Sequence, residues 1–214
     1  MILRNFFITA FIVIFLFSCS QPDQEWNSYG MDLSNQRFSR ITQINKTNVE
    51  TLEMAWQVQT GVQATFQSTP IVHEGIMFVS LPFNNVLALD AKTGNEIWRY
   101  EHDLNPNWKL CCGPSNRGVA LQGKQLFFGT VDARLISLNI KTGEKIWDIN
   151  VVKNNVETES ISDLDENDAN SDKQVSGGTG VGISMAPVVY NGKVIIGITG
   201  VGYGLHIEEE GANT

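Results

Sequence analysis

The sequence has little basic charge and no long stretch with apolar residues at helical spacing. Fifteen Lys and Arg residues stand against 23 Asp and Glu residues, and the net charge of −8 argues against nucleic-acid binding, which needs a basic face. The missing helical periodicity excludes a mainly helical fold. Nineteen glycines, together with many Val, Ile, Phe and Thr residues, favour short strands and tight turns. A hydrophobic content of 42% is that of a globular protein. We therefore predict an all-β globular fold.

The sequence also lacks an apolar run long enough to span a membrane. Residues 6–17 are almost wholly apolar and follow Arg4, but they are fewer than the ~20 residues that a spanning helix needs. Residues 1–19 are therefore predicted to be a signal peptide and are kept apart from the fold. An ordinary secretory signal and an uncleaved anchor both remain possible interpretations of this segment.

Leu16-Phe17-Ser18-Cys19 at the end of the run resembles the bacterial lipobox, although Phe17 is bulkier than the usual residue. The resemblance implies lipidation of Cys19, with residues 20–25 as a polar tether. It places the chain on the periplasmic side of a bacterial envelope, lipid-anchored to the membrane. Ser20, in place of an aspartate after the cysteine, points to the outer membrane. Only two further cysteines then remain, an even number that suits an oxidising compartment.

Two segments of the chain repeat each other at a distance of 49 residues. LALDAKTGNEIW at residues 87–98 aligns without gaps with ISLNIKTGEKIW at residues 136–147. In each copy an alternating strand leads into an Asx-type turn, Thr-Gly supplies the positive-φ position, and a second strand carries a tryptophan. The repeat therefore predicts the same pair of strands twice.

Matching hairpins precede both copies, at residues 70–79 and 118–128, and a third lies at residues 187–197. Four short strands in about fifty residues are typical of a propeller blade. We predict a β-propeller over residues 26–214, with about two complete blades and part of a third. The third copy lacks its Thr-Gly-x-x-x-Trp half, and a ring needs at least four blades. We therefore expect a fragment, a truncated reading frame or one piece of a split protein.

Residues 153–180, between the second and third copies, are polar and acidic. Their aspartates do not follow the alternating EF-hand pattern with its central glycine and closing glutamate. The composition predicts a flexible, solvated insertion.

Cys111 and Cys112 are adjacent, and a disulfide between neighbours closes a strained ring. As a bare dipeptide they would be interpreted as two separate buried thiols. However, residues 111–118, CCGPSNRG, resemble the Cys-Cys-x-x-x-Asn-Arg-Gly segment of PQQ-dependent alcohol dehydrogenases of the methanol and ethanol dehydrogenase type (PQQ is pyrroloquinoline quinone). In that family a disulfide between the two adjacent cysteines packs flat against the quinone ring. The resemblance therefore implies a Cys111–Cys112 disulfide in the same place.

The resemblance extends from Trp26 to Gly204, interrupted by the acidic insertion. Its elements include WNSYGMD at residues 26–32, RFS at residues 37–39 and AW at residues 55–56. It covers about the first third of a family member. The β-propeller fold follows from the resemblance as well as from the repeats.

The resemblance implies a set of cofactor-binding residues: Cys111, Cys112, Arg117, Ser184, Thr199, Gly200 and Gln67. PQQ is a planar tricarboxylate with an ortho-quinone, so cations and hydrogen-bond donors are needed around its rim. Gln67 stands where many family members have glutamate. Gly202 falls where a calcium-binding glutamate is expected, so the metal ligands of this chain stay unknown, and calcium is expected only of the complete enzyme.

The implied activity is oxidation of an alcohol or sugar by hydride transfer to PQQ, with a periplasmic cytochrome c or quinone as electron acceptor. The general base and the other calcium ligands come from later blades in this family, so no catalytic residue is assigned here and the chain is expected to be inactive alone. The alternatives are a non-catalytic propeller lipoprotein that acts as a scaffold for outer-membrane assembly, and a sensing propeller that has kept the pocket.

Overall fold

The computed structural model describes residues 25–104, 108–110, 113–151, 182–199 and 205–207. The predicted signal peptide, the lipidation site and the acidic insertion lie outside these ranges. The described residues form twelve short strands: β1 (Ile71–His73), β2 (Ile76–Ser80), β3 (Val86–Asp90), β4 (Glu96–Tyr100), β5 (Trp108–Leu110), β6 (Ala120–Gln122), β7 (Gln125–Gly129), β8 (Arg134–Asn139), β9 (Lys145–Asn150), β10 (Val188–Tyr190), β11 (Lys193–Ile195) and β12 (Leu205–Ile207). A single-turn 3-10 helix, Val49–Thr51, and a short turn at Pro82–Asn84, in which the backbone of Phe83 is not helical, complete the assigned elements. None of the helices in these ranges has the length and apolar character needed to cross a bilayer.

Two four-stranded antiparallel sheets form consecutive blades, in the orders β1-β2-β3-β4 and β6-β7-β8-β9. Each interrupts its register at the same place, between Ala88 and Leu89 in the first sheet and between Ser137 and Leu138 in the second. The predicted third hairpin is present as β10 paired with β11. The β-propeller prediction is confirmed. The pairing of β5 with β12, which joins residues almost a hundred positions apart, was not predicted.

The Asx turns of the repeat form as the sequence predicts. The Oδ1 atom of Asp90 accepts hydrogen bonds from the backbone of Lys92 at 3.0 Å and of Thr93 at 2.7 Å. In the second blade the Oδ1 atom of Asn139 accepts from the backbone of Lys141 at 2.8 Å. These bonds close the tight connections β3–β4 and β8–β9, so the repeat's Asp/Asn serves structure.

The repeat tryptophan of the first blade, Trp98, packs against the Thr-Gly turn of the second blade. The indole Nε1 of Trp98 donates to the carbonyl of Ile140 at 2.9 Å, and the ring covers Gly143, where a Cβ would come within 2.7 Å of it. Trp56 repeats the arrangement one blade earlier, with its Nε1 atom 3.3 Å from the carbonyl of Ala91. The Thr-Gly turn and the tryptophan are therefore an interblade lock, which explains why they recur together.

The main core lies between the two sheets. It combines residues of both blades: Ile71, Phe78, Val86, Ala88, Trp98, Val119, Leu126, Phe128, Ile136, Leu138 and Ile140. A smaller cluster of Leu81, Leu87 and Leu89 on the other side of the first sheet packs against the extended segment that carries Trp56 and Val58. Burial of these side chains is the main force that stacks the blades.

The antiparallel order gives the blades two distinct ends. The end that carries the Thr-Gly turns is called the lower face. The opposite end is called the upper face. It carries the β2–β3 turn (residues 81–85), the β7–β8 turn (residues 130–133) and the segments that lead into β6 and β10. Of the candidate site residues, all that the structure describes lie on the upper face.

Candidate functional site

Arg117 lies at the junction of three units on the upper face. Its backbone N–H donates to the carbonyl of Ser184 at 3.0 Å, and its carbonyl accepts from the backbone of Thr69 at 3.2 Å. Its Nη1 atom donates to the Ser184 hydroxyl at 2.7 Å. Main-chain bonds from the first blade and the third hairpin therefore fix Arg117 between them.

The electrostatics of this junction suit an anionic ligand. Within the described ranges Arg117 has no carboxylate partner, and the groups it contacts are neutral. The Ser184 hydroxyl accepts from Arg117, which leaves its own proton without a described acceptor. A half-buried guanidinium beside a free hydroxyl donor offers two directed donors of the kind that a carboxylate binds.

Thr199 is joined to Ser184 through the strand entry at Gly182. Its Oγ1 accepts from the Gly182 backbone N–H at 2.8 Å and donates to the Gly182 carbonyl at 3.0 Å. Its backbone N–H also donates to that carbonyl, at 2.8 Å. The Thr199 hydroxyl therefore holds the ends of the third hairpin together, and in this arrangement its proton is donated within the chain.

Gln67 stands two residues before Thr69, and so close in the chain to the residue that bonds Arg117. Its side chain is exposed and makes no hydrogen bond to the described residues. The structure thus groups Arg117, Ser184 and Thr199, and leaves Gln67 free at the margin. Cys111, Cys112 and Gly200 lie outside the described residues.

Asn116 anchors the segment that carries Arg117. Its side chain is 1% exposed, its Nδ2 donates to the Gly129 carbonyl at 2.8 Å, and its Oδ1 accepts from the Gly118 N–H at 3.0 Å. Gly118 has a φ of 146°, and a Cβ there would lie 3.2 Å from that of Ala186. The Asn-Arg-Gly motif therefore has a physical division of roles: Asn116 clamps, Arg117 projects, and Gly118 allows close packing.

A cavity of about 1320 Å³ lies on one side of Arg117. Its walls combine the N-terminal segment with residues at the starts of β6 and β10, among them Arg37, Ala120 and Ala186. The guanidinium of Arg37 stacks 4.7 Å above the ring of Tyr29. Arg117 borders this cavity, whereas Ser184, Thr199 and Gln67 are not among its lining residues.

Two further features of the upper face were not singled out from the sequence. Phe83 and Asn84 in the β2–β3 turn both have left-handed backbones, with φ values of 64° and 63°. This conformation costs a bulky residue such as phenylalanine about 1 to 2 kcal/mol and is concentrated at functional sites. The Phe83 N–H donates to the Pro114 carbonyl at 2.9 Å. This turn therefore fixes the chain just after the two cysteines. No local sequence pattern predicts this left-handed turn, because Pro-Phe-Asn-Asn has the composition of an ordinary turn.

The second unforeseen feature is a buried pair, His102 and Asp132. The His102 Nε2 atom lies 2.9 and 3.0 Å from the two carboxylate oxygens. Burial opposes ionisation of Asp132, but hydrogen bonds from His102 and Thr130 outweigh it and hold the pKa of Asp132 below its usual range. The two residues are thirty positions apart in loops, so sequence spacing gave no signal for the contact.

No group of three His, Cys, Asp or Glu side chains that could hold a metal ion occurs among the residues that the structure describes. The Gly202 position and the terminal glutamates fall outside those residues.

Comparison with known proteins supports one family. The family described as "PQQ: Glucose/ethanol/alcohol dehydrogenase, beta-propeller domain" matches residues 26–211. Quinohemoprotein alcohol dehydrogenase ADH IIB of Pseudomonas putida is 35% identical over 187 residues, which are 86% of this chain and 24% of that protein. The quinohemoprotein alcohol dehydrogenase of Comamonas testosteroni is 36% identical over 183 residues, 85% of this chain and 23% of that protein.

Solved structures agree with the sequence relatives. The crystal structure of the Comamonas testosteroni enzyme superposes with a TM-score of 0.69 at 33% identity, covering 87% of this chain and 25% of that one. A europium-containing methanol dehydrogenase superposes with a TM-score of 0.65 at 26% identity, covering 85% and 28%. The chain spans about a quarter of the length of the relatives it matches. The family match over nearly the whole propeller region, with the repeat and the Asn-Arg-Gly clamp, shows that this chain belongs to the β-propeller family of PQQ-dependent glucose, ethanol and alcohol dehydrogenases.

Proposed function

We propose that this chain supplies one rim of a PQQ site in an enzyme that oxidises alcohols. The observation that carries the proposal is the Arg117–Ser184 junction, where a guanidinium without a described carboxylate partner lies 2.7 Å from a hydroxyl with a free proton. PQQ carries three carboxylates, and its planar ring needs donors at its edge. The donor set therefore fits the cofactor.

In this proposal Arg117 binds a carboxylate of the cofactor and Ser184 donates a hydrogen bond beside it. Asn116 and Gly118 hold Arg117 at the edge of the cavity, and Thr199 keeps the Ser184 segment closed. When bound, PQQ supplies the ortho-quinone that takes up a hydride from the substrate. Cys111 and Cys112 are proposed to form a disulfide against one face of the ring, and Gly200 to allow close backbone approach.

The proposal assigns no proton-transfer residue to this chain, so we expect no alcohol oxidation from it alone. The relatives are named as alcohol dehydrogenases, and one is a 1-butanol dehydrogenase that uses cytochrome c. An alcohol substrate, a cytochrome-type acceptor and a calcium or lanthanide ion are accordingly proposed for the complete enzyme. The further blades would supply the base and the metal ligands.

A binding titration tests the rim. PQQ added to the purified chain should quench tryptophan fluorescence, and R117A should raise the dissociation constant about 10- to 100-fold, since a hydrogen bond to a charged group contributes about 1.5 to 3 kcal/mol. K124A is the matched control, because Lys124 is an exposed cation at the β6–β7 turn on the lower face. Equal affinities for R117A and K124A, or no binding by the wild-type chain, would contradict the proposal.

Dye-linked alcohol oxidation by the chain with PQQ and calcium would contradict the expected inactivity.

We further propose that the mature chain is exported and lipid-anchored at Cys19. The lipobox-like sequence at residues 16–19 supports this proposal. Labelled palmitate fed to a bacterial host that expresses the chain should enter the wild type and not C19A. Label in both proteins, or in neither, would contradict lipidation at this cysteine.

A further inference from the structure

His102 and Asp132 join the two blades on the upper face. His102 follows β4 in the first blade, and Asp132 lies in the β7–β8 turn of the second. Their side chains are only 6% and 13% exposed. The other histidine–carboxylate pair in the described ranges, His73 with Glu25, is 26% and 35% exposed. The burial of the first pair makes its loss costly, because the Asp132 carboxylate would lose its histidine donor in a place where little water can replace it.

The first blade holds His102 in position. The His102 backbone N–H donates to the Oδ1 atom of Asn85 at 2.9 Å. The neighbouring Asn84 reaches across to the same turn of the second blade, where its Oδ1 accepts from the Val131 N–H at 3.3 Å. Asn84 is fully buried, and its Nδ2 has no hydrogen-bond partner among the residues that the structure describes. Two neighbouring contacts thus tie the β7–β8 turn to the first blade.

The same β7–β8 turn supports the residues of the proposed cofactor rim. The Ile183 N–H donates to the Thr130 carbonyl at 2.8 Å. Gly182 lies so close to Val131 that a Cβ on Gly182 would overlap the Val131 carbonyl oxygen. Ser184 follows directly and binds Arg117 through both its carbonyl and its hydroxyl. A continuous chain of contacts therefore runs from His102 through the β7–β8 turn to Arg117.

We infer that His102 and Asp132 are positioning residues, whose pairing fixes the β7–β8 turn and through it holds Ser184 and Arg117 in the geometry that receives an anionic planar cofactor. This inference rests on the proposed function for the identity of the ligand. The coupling between the pair and the rim can be measured without the ligand.

The test compares H102A, H102Q and H73A in the full chain. H102A should raise the PQQ dissociation constant at least fivefold, measured well below the unfolding temperature, and should speed amide hydrogen exchange at residues 117–118 and 182–184. H102Q should restore both values to within about twofold, because its amide N–H can donate to Asp132. H73A removes the less buried pair, His73 with Glu25, and should leave both values unchanged.

The readouts separate the possible outcomes. Wild-type exchange at residues 182–184 and wild-type PQQ affinity in H102A, even with a lowered melting temperature, would overturn the inference and leave only a structural role. If R117A does not weaken PQQ binding, the proposed function fails, while the exchange measurement still decides whether the pair is coupled to the rim. If H102A does not fold, D132N must show the faster exchange at the same residues, and unchanged exchange there would overturn the inference.

Discussion

Replacement of Gly143 by alanine should loosen the lock between the two blades. Gly143 has a φ of 72°, and an added Cβ would lie 2.7 Å from two ring carbons of Trp98. That indole is 7% exposed and bonded to the Ile140 carbonyl, so it cannot move aside without losing core contacts. The substitution therefore combines backbone strain with a steric clash.

The two costs can be estimated separately. A left-handed backbone costs a non-glycine residue about 1 to 2 kcal/mol. Overpacking in a well-packed core adds about 1 to 3 kcal/mol. G143A should therefore lower the free energy of unfolding by about 2 to 5 kcal/mol. Gly123, in the β6–β7 turn of the same sheet, has a φ of 57° with nothing within 4 Å of an added Cβ. G123A should lose only the backbone contribution, about 1 to 2 kcal/mol.

Urea denaturation followed by circular dichroism measures both variants against the wild type. The decisive quantity is the difference between G143A and G123A, which isolates the contact with Trp98. In a W98L background the additional cost of G143A should fall to about that of G123A, because leucine removes the ring that clashes. Equal destabilisation by the two glycine substitutions would refute the interblade lock as a source of stability.

Two further predictions concern the upper face. N116A should lower the free energy of unfolding by about 2 to 4 kcal/mol, because it leaves a buried carbonyl and a buried N–H unpaired; loss below 1 kcal/mol in urea unfolding would contradict this role. Since folding lowers the pKa of Asp132, the stability it contributes is present above its unfolded value of about 3.9 and is lost as pH falls through the lower folded value. The stability difference between wild type and D132N should therefore shrink between pH 5 and pH 2, and a constant difference would show that ionisation of Asp132 is irrelevant.

The sequence predicted the blades well because their determinants are local. The Asx turn at Asp90 needs only residues within four positions, and the hairpin at Asn191-Gly192 needs two left-handed residues, which the structure places at φ values of 48° and 71°. Because the same segment recurs after 49 residues, a repeated structural unit can be inferred without any knowledge of long-range contacts. The same logic located the tryptophans of the repeat, although only the structure shows that Trp98 packs on the following blade.

The site was predictable only through resemblance. Arg117 and Ser184 are 67 positions apart, and neither lies in a pattern that would distinguish it from an ordinary loop or strand residue. Their contact depends on main-chain bonds from the first blade and the third hairpin. The His102–Asp132 pair and the β5–β12 ladder depend on loop paths that no periodicity encodes. Such contacts require a fold before they can be recognised.

The two ends of the blades follow different physical rules, and this division accounts for the position of the proposed site. The lower face repeats the same turn and the same tryptophan lock, so each position there is determined by stacking. The upper face uses unlike elements at equivalent places: a strained Phe83-Asn84 turn in one blade and the Asp132 turn in the next. Those irregular turns contact each other and the Arg117 segment through side-chain and main-chain hydrogen bonds. Stacking on the lower face already holds the blades together, so the upper loops can arrange polar groups for binding. Lower-face substitutions should therefore change stability alone, whereas upper-face substitutions should also change cofactor affinity.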